Sequence, residues 1–174
     1  MRWTLALPLL VLAAASPATA ALKQGAKAPQ IATVGAVGGK PFKLDLQTQL
    51  KKGPVVLYFF PKAFTKGCTL EAHAFSDAAA DFKKAGAQII GMSADNLDTL
   101  KKFSTEECRS AFPVASATPE IQKAYDVAWA EHPGLTTRTS YVIARNGRIA
   151  MVHDDLDFSQ HVAQTMAAVK ALKK

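Results

Sequence analysis

Cysteine occurs at positions 68 and 108 of this chain, and the surroundings of the first decide what chemistry is open to it. Cys68 ends the stretch Pro61-Lys62-Ala63-Phe64-Thr65-Lys66-Gly67-Cys68. The apolar run Val55-Val56-Leu57-Tyr58-Phe59-Phe60 precedes that stretch, and the helix-like Thr69-Leu70-Glu71-Ala72-His73-Ala74-Phe75 follows it. The cysteine is therefore expected at the junction of a buried strand and a helix N-terminus. Aligned N–H groups and the helix dipole favour negative charge there, and so favour the thiolate. A thiolate at such a turn serves as a nucleophile or a ligand. The competing reading is a single structural disulfide between Cys68 and Cys108, the usual use of two cysteines in an exported protein.

Stepping outward from the cysteine, strands and helices alternate. Phe42-Lys43-Leu44-Asp45-Leu46 alternates apolar and polar residues as a half-buried strand does, after a Gly-rich turn over residues 34–40. Phe75, Ala78 and Phe82 recur at helical spacing after Cys68, and Gly86 ends that helix before a strand over residues 88–93. A helix is expected over residues 96–103. Ser104-Thr105-Glu106-Glu107 then reads as a capping box that starts a short second helical piece carrying Cys108. Phe112-Pro113-Val114-Ala115 reads as a short strand. Thr118-Pro119 is a cap and N1 proline, with Ile121, Ala124 and Tyr125 on one helix face. Asn146-Gly147 marks a hairpin between strands over 140–144 and 148–153, and a final helix is expected to bury Val162, Met166, Val169 and Leu172. This order is that of an α/β layered sheet closing with an antiparallel hairpin and a helix.

The chain has 174 residues, 49% hydrophobic and 20% charged, with a net charge of +7. That suits one domain with a sizeable core. Lysine pairs are scattered at expected element ends, and no basic run is interleaved with aromatics, so nucleic acid is not an expected partner. The first twenty residues differ in kind. Arg2, the apolar residues 5–15 and Ala18-Thr19-Ala20 have the layout of a secretory signal peptide cut before Ala21. An uncleaved anchor is the alternative, but the second half of the segment is weak for spanning a bilayer. Residues 21–174 then form the exported domain, periplasmic in a Gram-negative source, with no stable membrane association after cleavage.

Pro61, Thr65 and Cys68 match the P-x-x-x-T-x-x-C signature of peroxiredoxins, Glu71 continues it as Cys-Thr-x-Glu, and Arg138-Thr139-Ser140-Tyr141-Val142-Ile143 resembles that family's arginine-bearing strand. The similarity runs from about Gly25 to the C-terminal helix and resembles the peroxiredoxin Q, or bacterioferritin-comigratory-protein, branch. It implies a thioredoxin-like fold, a central mixed sheet flanked by helices, with extra N-terminal strands. It also implies a thiol peroxidase that reduces hydrogen peroxide and organic hydroperoxides through a sulfenic acid, without metal, haem or other cofactor. The implied site is Cys68 as nucleophile with Pro61, Thr65 and Arg138, and Glu71 either orients the arginine or faces solvent. The expected partners are a peroxide and a thiol reductant such as a thioredoxin-like protein, and a monomer is the expected state. The chain departs from the branch at His73, where many members carry a second cysteine, and at Lys66, which replaces a frequent proline. Cys108 is thereby left as the candidate resolving cysteine, the alternative being a one-cysteine mechanism with Cys108 as packing.

Such a reaction asks more of the protein than a low thiol pKa. A free thiol of pKa about 8.5 is roughly 3% ionised at pH 7, and lowering the pKa to about 6 gains roughly thirtyfold in thiolate. The less basic sulfur loses about tenfold in nucleophilicity on a Brønsted slope of about 0.45. The two nearly cancel, so donors aimed at the breaking O–O bond must supply most of the acceleration. Thr65, the backbone N–H groups of Gly67 and Cys68, and the guanidinium of Arg138 are the donors on offer. His73, His132, His153 and His161 show no paired ligand spacing and read as surface or polar-core residues; Trp129 with Tyr125 reads as packing. Two other functions stay open: a copper-handling thioredoxin-like protein using Cys68 with a histidine, and a non-catalytic fold held by a Cys68–Cys108 disulfide.

Overall fold

The computed structural model describes residues 21–172, so the expected signal peptide and its cleavage site lie outside the described residues. In chain order the elements are β1 (Ala32–Val37), β2 (Lys40–Asp45), α1 (Leu46–Lys52), β3 (Val55–Phe59), α2 (Lys66–Lys84), β4 (Gln88–Ser93), α3 (Leu97–Glu106), β5 (Val114–Ser116), α4 (Pro119–Ala124), β6 (Thr139–Ile143), β7 (Ile149–Asp154) and, after a 3-10 turn at Phe158–Gln160, α5 (His161–Ala171). They build one seven-stranded mixed sheet in the order β2-β1-β5-β4-β3-β6-β7.

β3 explains the architecture. Every residue of Val55–Phe59 is buried, because the strand lies between parallel β4 and antiparallel β6 and is covered on both faces. Val55, Leu57 and Phe59 point into a core with Leu46 and Leu50 of α1, Ile121 of α4, Tyr125 and Tyr141. Val56, Tyr58 and Phe60 point into the other, with Phe75 and Phe82 of α2, Leu100 and Phe103 of α3 and Val169 of α5. The run of apolar residues without alternation is thus a strand with two cores. Burying each of its large side chains stabilises the fold by about 1.5–3 kcal/mol. Cys68 and Cys108 both belong to the second core.

Several local expectations are corrected. Residues 34–37 belong to β1, and the turn is confined to Gly38-Gly39. Gly35 is there for close approach: a Cβ would come 2.5 Å from the Val114 carbonyl oxygen of the neighbouring strand. Leu46, expected in the strand with Phe42 and Leu44, instead starts α1, which Asp45 caps by accepting from the Thr48 N–H at 2.7 Å. Ser104-Thr105-Glu106 does not start a new helix. The Ser104 hydroxyl donates back to Lys101 O at 2.8 Å and the Thr105 hydroxyl to Lys102 O at 2.8 Å, so α3 runs on to Glu106 and Cys108 falls in the turn after it. On α4 Gln122 is buried, donating to Ala117 O, and Ala124 is exposed. The buried line of α5 is His161, Thr165 and Val169 at a spacing of four, which leaves Leu172 exposed. The β6–β7 turn is wider than a two-residue hairpin, with Gly147 N–H donating to Ala144 O.

Candidate active site

The site lies at the C-terminal end of β3. There the chain leaves the sheet through Pro61, crosses residues 62–65 and enters α2, with Thr65 at the N-cap position and Cys68 in the first turn. The loop is held in an unusual shape. Phe64 has φ 64, which a bulky residue adopts only when its surroundings enforce it. Three contacts do so: Asp95 accepts from the Ala63 N–H at 2.7 Å, the Phe64 ring packs edge-on to Phe103 at 5.3 Å, and the Thr65 hydroxyl donates to Lys62 O at 3.0 Å. Asp95 is itself fixed by the Ser93 hydroxyl at 2.8 Å. The sequence does not reveal the role of Asp95, because a lone acid after a strand carries no spacing signal.

The helix start is left open for an anion. Thr65 makes no side-chain cap bond, and the first bond of α2 runs from Thr69 N–H to Thr65 O. The N–H groups of Lys66, Gly67 and Cys68 therefore have no partner within the helix, and their dipoles point at the space in front of it. Cys68 itself is only 1% exposed.

Arg138 arrives from the residue before β6 and engages each of its three guanidinium nitrogens. Nη2 donates to Cys68 Sγ at 3.5 Å, Nη1 donates to Glu71 Oε2, and Nε donates to Leu156 O at 2.8 Å. Gly67 makes room for it, since a Cβ there would lie 3.2 Å from Nη2. Glu71 is fully buried one turn below Cys68. The solvent-facing alternative for this residue is thereby excluded. Burial pushes the Glu71 carboxyl up, to about 8, against the pull of the Arg138 charge and its hydrogen bond. Its second oxygen, Oε1, has no hydrogen-bond partner and lies 3.8 Å from His161 Nδ1. His161, read from the sequence as uninformative, is fully buried against this cluster.

Pro61, Thr65, Cys68 and Arg138 are thus gathered at one end of the sheet, and Cys108 is not among them. Cys108 is a free thiol, as is Cys68. Its turn packs against α2 further along the helix, where Ser76 donates its hydroxyl to Cys108 O at 3.0 Å. Burial pushes the Cys108 thiol well up, and the Glu107 charge adds to that. Among the described residues, no group of three or more His, Cys, Asp or Glu could hold a metal ion, and no helix is long and apolar enough to cross a membrane.

A mixed sheet that presents one buried cysteine at an open helix start, under an arginine, defines a thioredoxin-like protein built for thiol chemistry. Residues 24–152 match the AhpC/TSA family, and the chain belongs to it. It is 31% identical over 136 residues to chloroplastic peroxiredoxin Q of Sedum lineare, covering 78% of this chain and 72% of the plant protein. Across the curated plant relatives the matched span amounts to between 58% and 72% of their length. Among solved structures, peroxidoxin BcpB from Mycobacterium tuberculosis superposes with a TM-score of 0.79 at 27% identity, covering 88% of this chain and 99% of that one. Xanthomonas campestris peroxiredoxin Q superposes with a TM-score of 0.70 at 27% identity, covering 81% and 91%.

Proposed function

We propose that this protein is a thiol-dependent peroxidase that reduces hydrogen peroxide and organic hydroperoxides. The observation that carries the reading is the triple engagement of Arg138 with Cys68, Glu71 and Leu156 O. In this reading the Cys68 thiolate attacks one peroxide oxygen, an S–O bond forms as the O–O bond breaks, and the other oxygen leaves with a proton as water or alcohol. Cys68 is oxidised to the sulfenic acid and the peroxide is reduced. The second Nη2 hydrogen of Arg138 and the free N–H groups of Gly67 and Cys68 take up the charge that develops on the peroxide oxygens. The Thr65 hydroxyl, whose proton is committed to Lys62 O, has lone pairs left to accept from the peroxide O–H and so orients it. Pro61 closes the pocket wall.

Cys108 is the resolving thiol. It attacks the sulfenic sulfur, forms the Cys68–Cys108 disulfide and releases water, and an external dithiol restores both thiols. Ser76, which holds the Cys108 carbonyl, lies two turns beyond Cys68, about 12 Å along α2. A disulfide requires Cα atoms within about 7 Å, so the Cys108 turn must leave α2. Its construction supports that motion. Arg109 and Ser110 both have left-handed backbones, with φ 49 and 57, which L-residues adopt at a cost. The turn is clasped to one face of α2 by His73–Glu107 at 2.8 Å, Ser76–Cys108 O at 3.0 Å and Asp77–Arg109 at 2.7 Å. The exposed Asp77–Arg109 pair contributes about 1 kcal/mol or less.

The layout of residues 1–20 supports export. A mass spectrum of reduced protein after one equivalent of peroxide tests the whole reading. A Cys68–Cys108 disulfide is the expected product. Unmodified thiols would remove the peroxidase assignment, and a stable sulfenic acid would remove the resolving role.

A further inference from the structure

Building on the peroxidase reading, we propose that His161 is a positioning residue for Arg138: its Nε2–H fixes the loop whose carbonyl edge carries the guanidinium. His161 Nε2 lies 2.9 Å from Asp155 O, and Arg138 Nε lies 2.8 Å from Leu156 O. Adjacent carbonyls of one loop thus serve the histidine and the arginine. The loop also returns to Arg138 through its own backbone, Asp155 N–H donating to Arg138 O at 3.2 Å.

The tautomer follows from the partners. A carbonyl oxygen only accepts, so Nε2 carries the proton and Nδ1 does not. Nδ1 therefore accepts from the Ser140 hydroxyl at 2.8 Å. That choice reaches Glu71. Its unpartnered Oε1 lies 3.8 Å from Nδ1 in a fully buried setting. A proton on Nδ1 would offer this oxygen a donor and draw the carboxyl away from Arg138. With Nδ1 occupied by Ser140, the guanidinium is, among the described residues, the one donor within hydrogen-bond distance of Glu71. Burial holds His161 neutral, well below the ordinary histidine range, which preserves this arrangement. His161 thus acts on the arginine from two sides, through the loop and by leaving Glu71 to it, without touching the peroxide.

The test measures the single-turnover loss of the Cys68 thiol with hydrogen peroxide for His161→Asn and His161→Gln, each in wild-type and Arg138→Met backgrounds. Glutamine can place its amide N–H near the position of Nε2, whereas asparagine reaches only the position of Nδ1. His161→Asn is expected to slow the reaction about three- to tenfold, the worth of one hydrogen bond, and His161→Gln to recover most of it. Neither change is expected to alter the residual rate of Arg138→Met. Equal slowing by both variants, no slowing by His161→Asn, or the same slowing without the arginine would overturn the proposal. Should the asparagine variant not fold, nitrogen NMR of the wild-type imidazole decides: a proton on Nδ1 overturns it and a proton on Nε2 upholds it. If wild-type protein consumes no peroxide, or Arg138→Met reacts as wild type does, the parent reading fails instead.

Discussion

Arg138 Nη2 lies 3.5 Å from Cys68 Sγ, although the two are 70 residues apart in the chain. The pairing depends on β6 lying antiparallel to β3, so that the residue before β6 arrives where β3 ends. The positive charge beside the sulfur is therefore a product of sheet topology, and its chemical worth can be measured.

Replacing Arg138 by methionine keeps the bulk and removes the fork. Peroxide attack should slow by about ten- to a hundredfold, the value of a charge-assisted hydrogen bond of about 1.5–3 kcal/mol. Lysine should recover little, since a single ammonium cannot serve Cys68, Glu71 and Leu156 O together. Stopped-flow thiol oxidation across pH checks this, and an unchanged rate for the methionine variant would take Arg138 out of the site.

Gly67→Ala should separate activity from stability. The new Cβ would press on Nη2 at 3.2 Å and push the guanidinium off the sulfur. The same change favours the helical backbone by up to about 1 kcal/mol. The expected outcome is a severalfold slower peroxide reaction with an equal or higher melting temperature. A slower reaction accompanied by loss of stability would mean that the helix, rather than the arginine, was disturbed.

Cys108→Ser should still consume one equivalent of peroxide and then stop. Dimedone should label Cys68, and turnover with a protein dithiol should be lost, while Cys68→Ser should show no peroxide reaction at all. Full turnover of the Cys108 variant with that dithiol would assign its sulfur to packing.

Acid should destabilise the protein partly through His161. Burial lowers its pKa from the ordinary 6.5 to about 4. The unfolded chain then binds more protons between those values, so this contribution is present above pH 6.5 and is lost as pH falls towards 4. Its size is about 3 kcal/mol. Glu71 works in the opposite sense, because its raised folded pKa favours the native state at the lower pH. Arg138, His153, Asp155 and Asp157 are the other charged or titratable groups that act on the ring. Urea titrations of wild type and His161→Gln between pH 7 and 4 should converge on acidification, and parallel curves would contradict this.

Much of this was legible because it is local. The unbroken apolar run of β3, the cysteine at a helix start and the proline–threonine spacing before it all depend on near neighbours in sequence. The family resemblance added Arg138, which no spacing reveals. The buried polar layer beneath the arginine was not legible. Glu71 could equally have been a surface acid, and His161 looks like any helix-initial histidine until β6 and the loop after β7 are folded over it. Cys108 was misplaced for a different reason: Ser104 and Thr105 have the types of a capping box, but their hydroxyls bond backward into α3 and prolong it. Hydroxyl side chains compete for carbonyls as readily as for N–H groups, and sequence alone does not say which wins.

The left-handed pair after Cys108 has a consequence for how the protein is seen from outside. A protease needs several extended residues around the bond it cuts, and Arg109-Ser110 is a tryptic bond held in the wrong shape, with its arginine tied to Asp77. A turn released to form the disulfide loses that shape. Disulfide formation would then be written on the surface as a cleavable bond, and an antibody that prefers the coiled turn would hold oxidised Cys68 at the sulfenic acid.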